Sequence, residues 1–185
     1  MKIFCDFDNT LVMSDHTIID MINKKYKTDK TESDIHDWGY RSILKNITKE
    51  EVELMYESDY FFDNVKFFEN AKRILSNYDF SICTAGSKIN LEKKFIFMKK
   101  HFEKDFDFFG GKSNNKGNVD MKGGIQIDDR VDCLLSTNST YKILFKNYNN
   151  YTWQLIPNNS NIYSANNWNE IENLIEYFRS GLFVN

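Results

Sequence analysis

The chain alternates between two hydrophobic rhythms. Residues 2–7, KIFCDF, form a short and nearly continuous apolar run, and the same texture returns in FSICTA, FDFFGG, GIQIDD and YKILFK. Runs of this length, bounded by turn residues, predict strands buried on both faces. Between them, TIIDMINKKY, TKEEVELMYES, FFENAKRILSNY and KINLEKKFIFMKKHF carry apolar residues at helical spacing, and a final helix is predicted from about Trp168 to Arg179. Strands that alternate with helices imply an α/β fold, a parallel sheet flanked by helices. The polar, helical stretch 15–65 interrupts that alternation after the first strand. The expected organisation is therefore a core of residues 1–14 and 66–185 with a small helical cap at 15–65. Thr48, followed three residues later by Glu51, is placed to form a capping box at the start of a cap helix. The Asn-rich stretch 147–167, broken by the single proline Pro157, is expected to be an ordered surface loop with one short strand.

Length and charge narrow the possibilities. A chain of 185 residues can bury one sizeable core with a small lobe, but not two full domains. Its 24 basic and 27 acidic residues leave a net charge of -3 with no basic stripe, which argues against double-stranded nucleic acid as a partner. No apolar run approaches the roughly 18 residues of a membrane span, and the N-terminus passes from Lys2 directly into an acidic motif. A cytoplasmic protein without membrane association is expected. Cys5, Cys83 and Cys133 are odd in number and far apart, so neither a disulfide framework nor a zinc site is indicated. They are expected to pack as small buried hydrophobes.

The candidate chemistry lies at the strand ends. Open parallel sheets bind ligands beyond the carboxyl ends of their strands. Asp6 and Asp8 follow the first strand, Thr84 and Ser87 follow FSIC, and Asp128 and Asp129 follow GIQI. Any one of these alone reads more readily as a turn former or a helix cap. Together they deliver acids and hydroxyls to one edge. Four carboxylates gathered there repel one another unless a divalent cation sits among them, and hard oxygen ligands select Mg²⁺, commonly together with a substrate phosphate.

At these residues a resemblance becomes specific. DFDNT resembles the first motif of the haloacid dehalogenase superfamily of phosphohydrolases, CTA its second and IDD its fourth, in the same order. The chain is further similar to the 5'(3')-deoxyribonucleotidase branch in YFFDNVKFFENA, ICTA, GIQIDDR, KILF and NNWNEI. It departs from that branch at Asn9-Thr10, where a small-residue pair is frequent, and at Gly86, where proline is common. The resemblance implies a Rossmann-like core and Mg²⁺-dependent hydrolysis of a small-molecule phosphomonoester through an aspartyl-phosphate. The substrate it implies is a nucleoside 5'-monophosphate.

Carried over residue by residue, the resemblance makes Asp6 the nucleophile and a metal ligand. Asp8 becomes the general acid and base, with its backbone carbonyl on the metal. Thr84 and the backbone N–H of Ala85 hold phosphate oxygens, and Asp128 completes the metal site. Asp129 is a second ligand through water or an acceptor that orients the first. The family also places a lysine shortly before the double acid. GGKSNNKGNVDMKGG offers Lys112, Lys116 and Lys122, of which Lys116 fits the spacing best. Lys88 and Lys94 align with family lysines near the phosphate pocket.

In the cap, Trp38 and Tyr40 of HDWGYRS can stack on a base or fill the lobe's own core, and Arg41 can reach a phosphate or base edge. Phe7 and Phe62 are implied as the pocket floor, and Arg130 as a ligand contact or a salt-bridge partner. A homodimer is also implied by the resemblance. Two alternatives stand beside the nucleotidase reading. One keeps the chemistry on sugar phosphates or nucleic-acid 3'-phosphate ends, and the other is a nucleotide-binding module without turnover.

Overall fold

A computed structural model describes residues 1–37, 39–112, 116–146 and 151–181. Six strands, β1 (Ile3–Cys5), β2 (Phe80–Ala85), β3 (Asp107–Gly111), β4 (Ile125–Asp128), β5 (Tyr141–Phe145) and β6 (Ile162–Ala165), form one parallel sheet in the order β3-β2-β1-β4-β5-β6. The helices are α1 (Ser14–Tyr26), α2 (Lys49–Glu57), α3 (Asp59–Asn64), α4 (Ala71–Ser76), α5 (Lys88–His101), α6 (Val131–Leu135) and α7 (Trp168–Ser180). Helices α1 to α3, with a 3-10 turn at Glu32–Asp34, are the helical insertion after β1 that the pattern predicts.

Register decides what the sheet presents. Cys5 of β1 pairs with Ile82 of β2 on one side and Ile127 of β4 on the other. The three central strands therefore run level, and their ends bring Asp6, Thr84 and Asp128 to one edge. Ile3, Cys5, Phe80, Ile82, Ile125, Ile127 and Ile143 are buried beneath that edge, consistent with strands covered on both faces. Gly124 opens β4 where a Cβ would come within 2.6 Å of the Phe4 ring and 2.9 Å of the Lys2 carbonyl, so a side chain there would push β4 away from β1.

The strand of FDFFGG differs from the buried strand its composition suggests. β3 lies at the sheet edge, and Phe109 is 39% exposed. The Asn-rich stretch contains a 3-10 turn at Thr152–Gln154 and the edge strand β6, with residues 147–150 outside the described residues. Local signals behave as expected elsewhere. Thr48 and Glu51 make both halves of a capping box, each bond 3.1 Å. Glu51 also accepts from Lys25 and Tyr26 of α1, which ties α2 to α1 and pulls its carboxyl down to about 2. The three cysteines are buried and free. Among the described residues, no helix is long and apolar enough to cross a membrane.

Candidate active site

The chain leaves β1 in a turn that fixes the first acids. Asp6 N donates to the Ile127 carbonyl at 2.9 Å, and Asn9 takes a left-handed conformation (φ 52°) that redirects the chain toward α1. Asn9 Oδ1 then accepts from Asp15 N at 2.9 Å, and Trp168 of α7 donates to the Thr10 carbonyl at 3.0 Å. The turn after β1 is thus held from both ends of the sequence.

Lys116 is the electrostatic centre of the site. Its ammonium lies 2.6 Å from Asp6 Oδ1 and 2.6 Å from Asp128 Oδ2, and all three residues are buried. Burial alone would lower the Lys116 pKa, but the Asp128 and Asp6 carboxylates outweigh it and hold the lysine well above its ordinary value. Asp128 is pushed up to about 6 by burial and by Asp6, with Lys116 acting in the opposite direction. Burial and the Asp128 and Asp6 charges raise Asp129 well above the usual carboxylate range. Among the described residues, both Asp129 side-chain oxygens are buried without a hydrogen-bond partner. Lys112 lines the cavity mouth, and Lys122 is exposed on the loop before β4.

Those orphaned oxygens test whether a cation fits. Buried carboxylates without donors are costly and are normally paired or metal-bound. Asp6, Asp128 and Asp129 each offer one oxygen, all within 4.8 Å of one another. An all-carboxylate donor set of this kind suits a hard divalent ion such as Mg²⁺.

Asp8 occupies a separate pocket of contacts. Its Oδ1 accepts from Ser14 at 2.7 Å and its Oδ2 from Lys94. The Lys94 side chain is 1% exposed, lies above the Phe7 ring, and also donates to Thr84 Oγ1 (3.0 Å) and the Ala85 carbonyl (2.8 Å). Lys94 therefore links Asp8 to the end of β2 at Thr84 and Ala85, and neither Lys94 nor Thr84 lines the cavity itself.

A cavity of about 770 Å³ opens above these groups. Asp6, Asp8, Lys116 and Asp128 form its acidic floor, while Ala85, Gly86, Ser87, Lys88 and Asn90 bring in the start of α5. Ser87 caps α5 by accepting from Asn90 N, and its hydroxyl is bonded to Glu57 across the cavity. A Cβ on Gly86 would approach Asn90 Oδ1 to 2.3 Å, so glycine here lets Asn90 fold back and donate to the Tyr56 carbonyl (2.7 Å). Arg130 lines the cavity, and its guanidinium is bonded to Asp132. Lys88 lies 3.9 Å from Glu92, one turn along α5.

The cap contributes a different face from the one expected. Lys49, Glu53, Tyr56 and Glu57 of α2 line the cavity. Tyr40 is buried in the lobe, where it donates to Asp15, and Arg41 is exposed away from the cavity wall. Trp38 lies outside the described residues. Phe7 and Phe62 pack around Phe97 within the core and do not floor the cavity. The α2 residues recur at i, i+4, i+7 and i+8, one helical face beside the buried Val52 and Met55. That spacing was readable in KEEVELMYE, but nothing in it distinguishes a cavity face from a solvated one.

No protein-family model matches the chain, and no curated protein does. Solved structures do. The HAD-hydrolase YfnB from Bacillus subtilis, solved bound to magnesium, aligns over 94% of this chain and 97% of its own, with TM-score 0.58 and 11% identity. The fold is that of haloacid dehalogenase-type hydrolases. A haloacid dehalogenase-like protein from Agrobacterium tumefaciens aligns over 96% of this chain and 98% of its own (TM-score 0.59, 12% identity). CbbY from Rhodobacter sphaeroides, solved in complex with phosphate, aligns over 92% and 95% (TM-score 0.54, 10% identity). At such identities the likeness is one of architecture. Within that architecture the strand-end acids occupy the ligand-binding edge expected of an open parallel sheet.

Proposed function

We propose that the protein is a Mg²⁺-dependent phosphomonoester hydrolase acting through an aspartyl-phosphate, with nucleoside monophosphates as the favoured substrates. The observation that carries this reading is the Asp6–Lys116–Asp128 bridge beside the unpartnered Asp129, set in the floor of a cavity large enough for a mononucleotide. Asp6 would attack phosphorus, its Oδ–P bond forming as the ester P–O bond breaks. Asp8, fixed by Ser14 and Lys94, would give a proton to the leaving oxygen and later take one from the water that releases phosphate. Lys116 would balance charge between Asp6 and the phosphoryl group. The start of α5 at Ser87 and Lys88 adds the positive end of a 14-residue helix and a cation to the same wall. Bound at Asp6 and Asp128, with Asp129 beside them, Mg²⁺ would supply Lewis-acid polarisation of a phosphoryl oxygen.

YfnB with magnesium and CbbY with phosphate support the class of chemistry by analogy of fold. A second reading, sugar phosphates as substrates, is favoured by one observation: among the described residues, Tyr56 is the single aromatic side chain on the cavity wall. The deciding experiment is phosphate release from nucleoside 5'- and 3'-monophosphates and sugar phosphates, with Mg²⁺ or with chelator. Selective Mg²⁺-dependent release from 5'-nucleotides is expected. Release from sugar phosphates alone moves the assignment to the second reading, and no release from any compound discards both.

A further inference from the structure

Beside the acidic floor lies a second polar cluster that the reaction above does not use. Asp15, at the start of α1, is 3% exposed and accepts from two tyrosines on separate oxygens. Tyr40 of the cap donates to Oδ1 at 2.5 Å, and Tyr151, 136 residues along the chain, donates to Oδ2. Tyr40's hydroxyl also lies 2.7 Å from that of Tyr56, which lines the cavity. Tyr56 thus stands between the buried cluster and the cavity.

Hydrogen counting fixes the direction of this chain. A carboxylate only accepts, and a tyrosine hydroxyl has one proton to give. Tyr40 spends its proton on Asp15, so the bond between the two tyrosines must run from Tyr56 to Tyr40. Tyr56 then has no proton left, and its oxygen can only accept from a ligand. The Tyr56 carbonyl is meanwhile held by Asn90, and its ring packs 5.2 Å from Phe61, so the side chain is positioned as well as polarised.

We infer that Asp15 and Tyr40 are positioning residues that make Tyr56 a hydrogen-bond acceptor in the cavity, and that the site thereby selects phosphomonoesters whose leaving group carries an O–H or N–H donor. This rests on the hydrolase reading above and deepens it. A site built to accept such a donor discriminates against analogues lacking it, because an unmet polar group stays buried.

The test has a functional and a spectroscopic arm. kcat/KM for a deoxynucleoside 5'-monophosphate and for p-nitrophenyl phosphate, whose leaving group has no donor, would be measured in wild type, Tyr56→Phe and Tyr40→Phe. Tyr56→Phe is expected to lower the nucleotide value about tenfold, mostly through KM, and to leave p-nitrophenyl phosphate within about twofold. Tyr40→Phe should give a smaller loss with the same selectivity. Equal loss on both compounds, or none on either, overturns the inference. Independently of turnover, the Raman tyrosine doublet in the wild-type minus Tyr56→Phe difference spectrum should report a donating hydroxyl, with that donor signature lost when the same difference is taken in Tyr40→Phe. A non-donating Tyr56 overturns the polarity whatever the kinetics. A donating Tyr56 in a protein that hydrolyses neither compound overturns the hydrolase reading and its selectivity while upholding the polarity.

Discussion

The molecule buries carboxylates in two clusters, and it treats them in opposite ways. At the strand ends, Asp6 and Asp128 share one ammonium, while among the described residues the Asp129 carboxylate has no donor. At the start of α1, Asp15 has a hydroxyl on each oxygen. Among the described residues, the first cluster leaves buried oxygens unmet, and the second meets both of its own. A buried acid with satisfied oxygens can hold neighbouring groups in place, whereas one with orphaned oxygens is a candidate place for a ligand.

The largest expected effect breaks the first cluster at its proposed reactive member. Asp6→Asn should reduce phosphate release by at least about a thousandfold, each tenfold being about 1.4 kcal/mol of barrier. The substitution keeps the shape of the side chain but removes a charge that faces Lys116 and repels Asp128, so the melting transition should stay cooperative while its midpoint shifts. Turnover close to wild type would remove Asp6 from the nucleophile role.

The same replacement made at the other acids should have opposite signs. Asp129→Asn removes a buried charge that repels Asp128 and Asp6, so the metal-free protein should gain about 1–2 kcal/mol in denaturant unfolding. It should also weaken Mg²⁺ binding, read by calorimetry, by about 10- to 100-fold. Asp15→Asn turns one acceptor into an N–H₂ group facing a tyrosine hydroxyl, and should cost about 1–3 kcal/mol with little effect on Mg²⁺ affinity. Destabilisation in both variants would mean that the two clusters are alike, and that the orphaned oxygens of Asp129 do not mark a cation site.

How much of this contrast was legible in the chain depends on whether partners lie near in sequence or in space. The acids of DFDNT and IDD announce themselves because they end apolar runs, and parallel-sheet geometry brings the ends of such runs together. Lys116 could be chosen from three candidates because the resemblance places a lysine shortly before the double acid and Lys116 fits that spacing best. Lys94 could not be placed, since KINLEKKFIFMKKH spreads lysines around a helix and only the turn after β1 determines which of them is buried on Asp8. Tyr40 was legible as an aromatic but not as a buried donor, because one partner is Asp15 and the other, Tyr56, lies on a separate helix. The α2 wall was hidden for a simpler reason. A polar helix face reads the same whether it borders water or a water-filled cavity.

A smaller effect follows from acidity. Burial raises Asp128 from an ordinary 3.8 to about 6, so the folded metal-free protein binds this proton more tightly than the unfolded chain. Where the folded state holds more protons, unfolding free energy falls as pH rises. Without metal, the melting temperature should therefore climb as pH drops from 7 toward 5, until ordinary carboxylates such as Glu51, held down to about 2 by Lys25, begin to lose their contribution below about 4.5. With Mg²⁺ the order should invert, the gain from the ion shrinking below pH 6 as Asp128 protonates. A metal-free profile that rises with pH across this window would show that Asp128 is not held as its burial implies.

The smallest effect concerns the cap segment expected from sequence to read the substrate. Arg41 is exposed, and what holds it in place is its backbone N–H on Asp37 Oδ1 at 3.1 Å, a bond that any residue except proline supplies. The cavity wall on this side is built by α2, whose C-terminal end is tied to α5 through Asn90 on the Tyr56 carbonyl, Lys93 on the Glu57 carbonyl and Ser87 on the Glu57 carboxylate. Arg41→Ala should therefore change stability by no more than about 0.5 kcal/mol and kcat/KM by less than about twofold. A tenfold rise in KM for nucleotides, with p-nitrophenyl phosphate unaffected, would instead put Arg41 in contact with the substrate during turnover. The α2 wall would then be one half of a recognition surface that closes around the leaving group.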